Sequence, residues 1–462
     1  MIQKKQWIAW LTVFMVPYIA IADSPIGIHK TNFYALSQNG NPFLPVAANV
    51  GFLMDLSLSE DAVKETLHRL AAFGVNSIRV VIDNAYKIGE PLDKFEAFDG
   101  SLKEPVLARL DAILTEAEKQ GMPAILALFD IESVARQWEN HPRNKKNGGA
   151  CIDVTEYLTK PDQVKRTALR LTQIVARYSK RNILAWELAR GVNIWDLQTP
   201  PQNEYLQPIQ FWIMRTVDQL RRIDDRKHLT ALSYVPNSLP FSLMQTAPVD
   251  LIMLHIRSEN PLRTAMSIQS FIDASRQYKK PIFIAETTWT GPSDHREEFT
   301  KNTLWSAAAS CGAAFLMPQF VGDIPRFSNA ELTQFKAFQL FLDNVDLGGV
   351  PRPPTPAPIQ ITPPDSYFIV ESIVGNDRLF WVLRKNPGKS KDIFTFQTVE
   401  GQYEYLWFNT DAGEIDRKRE FKLTRKTLML DPPHFEHDIA GRLRLMQPIS
   451  ESKGEKKEKP NE

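Results

Sequence analysis

The chain has 462 residues, 43% hydrophobic and 24% charged, with a formal net charge of +1. That length has room for a barrel of about 250 residues or more plus a smaller domain. The near-neutral balance indicates no polyanionic partner, so no nucleic acid is expected. Cys151 and Cys311 are the two cysteines, and no Cys/His cluster has zinc spacing. Two free thiols, no metal and no cofactor are therefore expected. The chain also lacks a Walker loop and a GxGxxG fingerprint. Its 26 Phe, 11 Tyr and 10 Trp suit a sugar binder, although a large barrel core accounts for most of them.

The N-terminus reads as a secretory signal over residues 1–22. Lys4 and Lys5 supply positive charge, Trp7 to Ile21 is apolar, and Ala20-Ile21-Ala22 is a cleavage site before Asp23. A cut after Ala22 gives a secreted or periplasmic protein with no membrane contact beyond the signal. After a lead-in, Phe43 to Asn49 is the first expected strand. Ser57 with Glu60 predicts a capping box, with Val63, Leu67 and Leu70 on one face of the helix that follows. Asn76 to Ile82 is the second strand. Val106, Leu110, Ile113 and Ala117 mark the second helix, and Pro123 to Phe129 is the third strand, ending at Asp130 and Glu132. A long polar loop follows, His141 to Cys151, of a length more often functional than not.

Asn182 to Glu187 is a short apolar run ending in Trp186-Glu187, and Lys280 to Glu286 is another closing on one carboxylate. Both have the texture of buried parallel strands. Together with the alternation of strand and helix, they predict an α/β fold: a (β/α)8 TIM barrel over residues 23–348 with carboxylates at the strand ends. His228 to Val235, Val249 to Ile256 and Ala313 to Phe320 supply the fifth, sixth and eighth strands. Helices are expected over about 204 to 222, up to Ser310, and over Leu332 to Leu342, with Phe211, Trp212, Met214 and Leu220 read as core. Residues 349–365 form a proline-rich linker, extended and fairly stiff. Short alternating runs at Leu379 to Leu383, Ile393 to Gln397, Tyr403 to Phe408 and Lys426 to Leu430 predict a β-sandwich domain over 366–449. The tail, 450–462, is charged and expected to be disordered.

These residues resemble glycoside hydrolase clan A, the clan of the family 5 cellulases and mannanases. Asn182 to Asn193 is similar to the clan's fourth strand, Trp-Glu-Leu-x-Asn-Glu, whose last Glu is the general acid/base. Lys280 to Glu286 is similar to the seventh, whose Glu is the nucleophile. The resemblance extends through the loop ending Asn147-Gly148-Gly149-Ala150-Cys151 and through Ala176-Arg177-Tyr178. Tyr405 to Gly413 resembles a strand and turn of the small β-domain that often follows such barrels. The resemblance implies a polysaccharide or oligosaccharide partner, with Glu286 as nucleophile. It places Arg79, Asp130, Trp186, Glu187, Arg190, His255 and Trp289 at or near the sugar. Three positions depart from the pattern. Arg190-Gly191 stands where the clan has Asn-Glu, Ile256-Arg257 follows His255 where a Tyr is usual, and Met317-Pro318-Gln319-Phe320 replaces a Trp near the eighth strand's end.

A retaining glycosidase needs two carboxyls about 5 Å apart, one attacking carbon and the other donating a proton. Gly191 cannot donate one. Arg190 also places a permanent cation near Glu286, which should hold that carboxylate ionised. Three functions stay open on the sequence. One is a glycan-binding barrel with hydrolysis weak or lost. The second is an active retaining hydrolase with a relocated acid from Asp130, Glu132 or Glu259, or from Glu187 in a shifted register. The third is a structural envelope protein.

Overall fold

The computed structural model describes residues 26–83, 100–192, 203–234, 241–292, 295–316, 319–321, 324–354, 357–385 and 392–448, without the side chains of 203–206, 241–243 and 313–326. The expected signal peptide, the charged tail and Met317-Pro318 lie outside the described residues. No helix among the described residues is long and apolar enough to cross a membrane.

Eight parallel strands close into a barrel. They are β1 (Ala47–Asn49), β2 (Ser77–Val81), β3 (Ala124–Ala127), β4 (Ile183–Glu187), β5 (Leu229–Tyr234), β6 (Leu251–Ser258), β7 (Ile282–Trp289) and β8 (Ala313–Leu316). Alternation along each strand sends one set of side chains inward and the other toward the helices. Ala47, Ile125, Ala185, Ala231, Met253 and Phe283 fill the interior. Ile26 and Leu36 join them from a three-stranded antiparallel meander, Gly27–Ile28, Leu36–Gln38 and Asn41–Phe43. That meander meets Leu229 and Leu251, at the strand N-termini, and so covers the barrel floor.

The outer layer contains α1 (Glu60–Ala72), α2 (Glu104–Lys119), α3 (Ile131–Arg136), α4 (Val154–Thr159), α5 (Pro161–Tyr178), α6 (Asn203–Ile223), α7 (Phe241–Thr246), α8 (Pro261–Ser275), α9 (Arg296–Ala309) and α10 (Asn329–Leu342). Val63, Leu67 and Leu70 are the buried face of α1, as their spacing requires. Its cap is Ser59, whose side chain accepts from the Ala62 N–H. Ser57, the expected cap, bonds Asp55 instead. On α6, Trp212 and Leu220 are core, whereas Phe211 and Met214 are exposed. Cys151 is buried, Cys311 is half-buried, and no disulfide joins them.

Two antiparallel sheets form the C-terminal sandwich. Its strands are β9 (Gln360–Thr362), β10 (Tyr367–Val374), β11 (Asp377–Arg384), β12 (Ile393–Gln397), β13 (Gly401–Asn409), β14 (Glu414–Leu423), β15 (Thr427–Leu430) and β16 (Asp438–Pro448). The proline-rich stretch is no free spacer. Arg352 pairs with Ile373 of β10, and Gln360–Thr362 is itself a strand paired with β12. Val370, Val374, Leu379, Trp381 and Phe408 of the sandwich belong to the same apolar cluster as the barrel helices. That contact explains α9, which is buried all round from Phe299 to Ala309: the sandwich covers the face that water would otherwise reach.

Candidate functional site

The strand C-termini bring charged side chains into one buried network. On β2, Ile78 and Val80 face the helices, so Arg79 between them points inward. It is fully buried, and carboxylates surround it. Its Nε and Nη2 donate to the two oxygens of Glu187 at 2.6 and 2.7 Å, and its Nη1 donates to Glu286 at 2.7 Å and to Asn49 at 2.8 Å. On β7 a bulge between Ile284 and Glu286 breaks the simple alternation. Ala285 turns its carbonyl to the Asn49 side chain, 2.7 Å away, and Glu286 is re-aimed into the barrel mouth.

Arg190 lies just beyond β4, and backbone bonds fix it there. Its N–H donates to the Phe129 carbonyl, and its own carbonyl accepts from the Glu132 N–H. The side chain holds Glu286 in a fork, Nε to Oε1 at 2.6 Å and Nη2 to Oε2 at 2.8 Å. Its Nη1 reaches Asp130 at 3.0 Å. Asp130 also caps α3, accepting from the Ser133 N–H. That cap sets Glu132 in the first turn of α3, over the mouth. Glu132 pairs with Arg136 at 2.8 Å, with Arg190 at 3.4 Å, and with Arg257 from β6. His255 stands between the carboxylates, 3.5 Å from Glu132 and 3.9 Å from Glu286.

Burial acts to raise the Glu286 carboxyl, but Arg190, His255 and Arg79 outweigh it and hold it well below the ordinary range. Glu132 follows the same logic: burial raises it, and Arg190 with His255 brings it below the usual value. Arg190 is driven the other way. Burial would lower it, and Glu286, Asp130 and Glu132 raise it well above its ordinary value. The network therefore consists of ionised groups on both sides. Donor atoms of Glu132, His255 and Glu286 lie within 4.8 Å of one another, a spacing a metal ion could bridge. Guanidinium groups already hold both carboxylates of that set, so a cation there would meet their charge.

The space that a side chain at position 191 would need is occupied. Gly191 has φ +66°, and an added Cβ would fall 2.8 Å from the Glu132 Cβ and 3.2 Å from its Oε2. A carboxylate from the first turn of α3 thus stands where a side chain at 191 would project.

Of the residues expected at the sugar, Arg79, Asp130, Glu187, Arg190, His255 and Glu286 converge. Arg79 and Glu187 are fully buried and bonded to each other, beneath the open surface of the mouth. Trp186 is a correction. Inward alternation belongs to Glu187, so the Trp186 ring faces outward, fully buried, with its N–H on Asp224 at 2.9 Å and its edge against His228. Trp289 sits half-exposed at the rim, its N–H on the Pro292 carbonyl and its ring against Phe299. Glu259 lies exposed past β6 with its backbone against Gly291. Sequence reasoning missed Asn49. Its signal was a lone amide closing the apolar run Ala47-Ala48.

No family model and no curated protein matches this chain. Among solved structures it is similar to a glycoside hydrolase family 5 protein from Bacteroides vulgatus, with TM-score 0.62 and 14% identity over 91% of this chain and 93% of that one. A second, described as a glycoside hydrolase, gives TM-score 0.60 and 12% identity over 92% and 97%. A family 5 mannosidase from Rhizomucor miehei gives TM-score 0.52 and 15% identity over 69% of this chain and 98% of that one. At such identities the likeness establishes the fold: a (β/α)8 barrel, and in the first two an alignment that runs on through the sandwich.

Proposed function

We propose that this chain is a secreted or periplasmic carbohydrate-binding protein on a family 5-type barrel, taking a polysaccharide or oligosaccharide at the barrel mouth with hydrolysis weak or lost. The observation that carries the reading is the Arg190 fork on Glu286. A glycosidase nucleophile must present an oxygen to the anomeric carbon, and the Arg190 guanidinium bonds both Glu286 oxygens, covering that approach and drawing off their electron density. The partner role needs a carboxyl that keeps its proton near working pH. Glu132, the neighbouring carboxylate, is held ionised by Arg190, Arg136 and Arg257.

One observation favours a second reading, an active retaining hydrolase. Carboxylate oxygens of Glu132 and Glu286 approach within 4.8 Å, close to the separation of about 5 Å that retaining chemistry uses. In that reading glycan binding draws Arg190 away and Glu132 becomes the acid.

The test is turnover of an activated aryl β-glycoside panel by wild type and Glu286→Ala, with and without azide, beside glycan binding by calorimetry. Binding without turnover, retained in Glu286→Gln, supports the first reading. Fast turnover of unactivated glycans as well as aryl glycosides, abolished in Glu286→Ala, overturns it. Loss of that turnover in Glu132→Gln, with rescue by azide, would assign the acid to Glu132.

A further inference from the structure

The charges of the barrel mouth are layered. Innermost, Arg79 holds Glu187 and Glu286. Above them Arg190 holds Glu286, Asp130 and Glu132. Outermost are two more guanidinium groups, both on one oxygen of Glu132. Arg136 lies one turn along α3 from Glu132 and reaches its Oε1 at 2.8 Å. Arg257 lies two residues beyond His255 on β6 and bonds the same oxygen. Leu254 and Ile256 face the helices and Met253 the interior, so His255 and Arg257 both point inward. Cations and carboxylates thus alternate outward, and the stack ends on cations.

Exposure separates the two signs. The side chains of Arg136 and Arg257 are 43% and 29% exposed, whereas those of Asp130 and Glu132 are 1% and 3% exposed. A molecule entering the mouth therefore meets guanidinium donors, with the carboxylates beneath them. A guanidinium carries five N–H donors in a planar fork, and Glu132 is bonded through Nη2 of each. One carboxylate lies under two cations. Burial lowers Arg257 from its ordinary value, Glu132 acts to raise it, and Arg136 and Arg190 push it down again. Arg79 and Arg190, deeper in the stack, are instead held above theirs by their carboxylates. An oxyanion lying across Arg136 and Arg257 offsets their mutual repulsion and continues the alternation. The net charge of +1 gives no long-range pull on a polyanion, so recognition is of one acidic group at this point.

We infer that the glycan taken at the mouth is acidic, with a carboxylate or sulfate group lying across Arg136 and Arg257. This inference rests on the reading of the mouth as a glycan site and narrows the class of sugar.

Calorimetry on the full chain with matched oligosaccharides tests it. One pair is β-linked mannuronate against β-linked mannose oligomers of equal length, which differ in the carboxylate alone. The other is a sulfated cello-oligosaccharide against its neutral parent. The acidic member of a pair should bind at least about tenfold more tightly than the neutral one. That preference should shrink between about 0.1 and 1 M salt. Arg136→Gln and Arg257→Gln should each remove most of it. Preference for mannuronate alone assigns a carboxylate, and preference for the sulfated oligomer alone assigns a sulfate ester. Equal affinity for acidic and neutral members overturns the inference and leaves the glycan reading standing, whereas no binding of any glycan overturns both. A preference unchanged in Arg136→Gln also overturns the inference, whether or not Arg257→Gln folds, because Arg136 is the more exposed of the two.

Discussion

Arg190 and Gly191 together define what the barrel mouth can do. Arg190 bridges Glu286, Asp130 and Glu132, all buried. Removing one cation from such a set strands carboxylates in low dielectric, while removing a matched pair strands fewer. Arg190→Met should therefore cost about 3 kcal/mol or more. The cost should shrink by at least about 0.5 kcal/mol in a Glu286→Gln background, the coupling being read by chemical denaturation. Equal costs in both backgrounds would show that the fork is not a stabilising contact. Gly191 carries a different expectation. Placing a carboxylate there with Gly191→Glu forces a side chain into a left-handed residue and onto the Glu132 Cβ. The change should destabilise by about 1–3 kcal/mol and bring no turnover of aryl glycosides. The clash should couple the two sites: Gly191→Glu should cost less in a Glu132→Gly background, where the Cβ it meets is gone. That no carboxylate follows Arg190 was legible in the sequence. That Glu132 occupies the space beside Gly191 was not, because nothing local in the sequence links the first turn of α3 to the residue after Arg190.

At the scale of the element, strand texture in the sequence located the barrel well and its ends less well. Short apolar runs specify burial but not where pairing stops. The sixth strand was expected to end at Ile256 and the seventh at Glu286, yet β6 runs on to Ser258 and β7 to Trp289. The bulge at Ala285 has no local sequence signature. It depends on the Asn49 side chain from β1, far along the chain. Trp186 was misplaced for a related reason: the motif names a residue but not the face of the strand it occupies. Its indole serves Asp224. Burial raises the Asp224 carboxyl, but bonds from His228 and Trp186 bring it down to about 2. A folded value below the unfolded one, about 3.9, stabilises the fold above that pH. The stabilisation is then lost as pH falls toward 2. Trp186→Phe removes one of those bonds. It should lower stability at neutral pH by about 1–2 kcal/mol and make the acid-side slope of stability shallower. Denaturation curves between pH 2 and 5 would check this. Glycan affinity at the mouth should stay unchanged, since the ring faces α6.

Across the whole molecule, composition suggested two domains joined by a spacer, and packing brings barrel helices and sandwich strands into one apolar cluster. Prolines mark the stretch as extended. But extension does not say what the backbone lies against, and here it pairs with β10 and contributes a strand. Trp305, Phe341 and Phe408 meet across the seam with ring centroids 5.1–6.1 Å apart, and Arg442 donates to the Asp343 carbonyl at 2.6 Å. The Lys301 ammonium also lies at this seam, shared between Asp411 in the turn and the buried Asp438 of β16. Taking it away as Lys301→Met leaves Asp438 with the Trp381 N–H as its remaining side-chain donor. A buried carboxylate so stripped of its cation typically costs about 3–5 kcal/mol. Because barrel helices and sandwich strands share one apolar cluster, that loss should not release the sandwich alone. Calorimetry should show wild type and Lys301→Met each unfolding in a single transition, the variant at lower temperature. A variant trace that splits in two, with the barrel transition left at the wild-type temperature, would mean that the seam joins two independent domains. The same coupling predicts that a chain ending at residue 348 exposes α9 on the side now covered, and that it aggregates instead of folding as a free barrel.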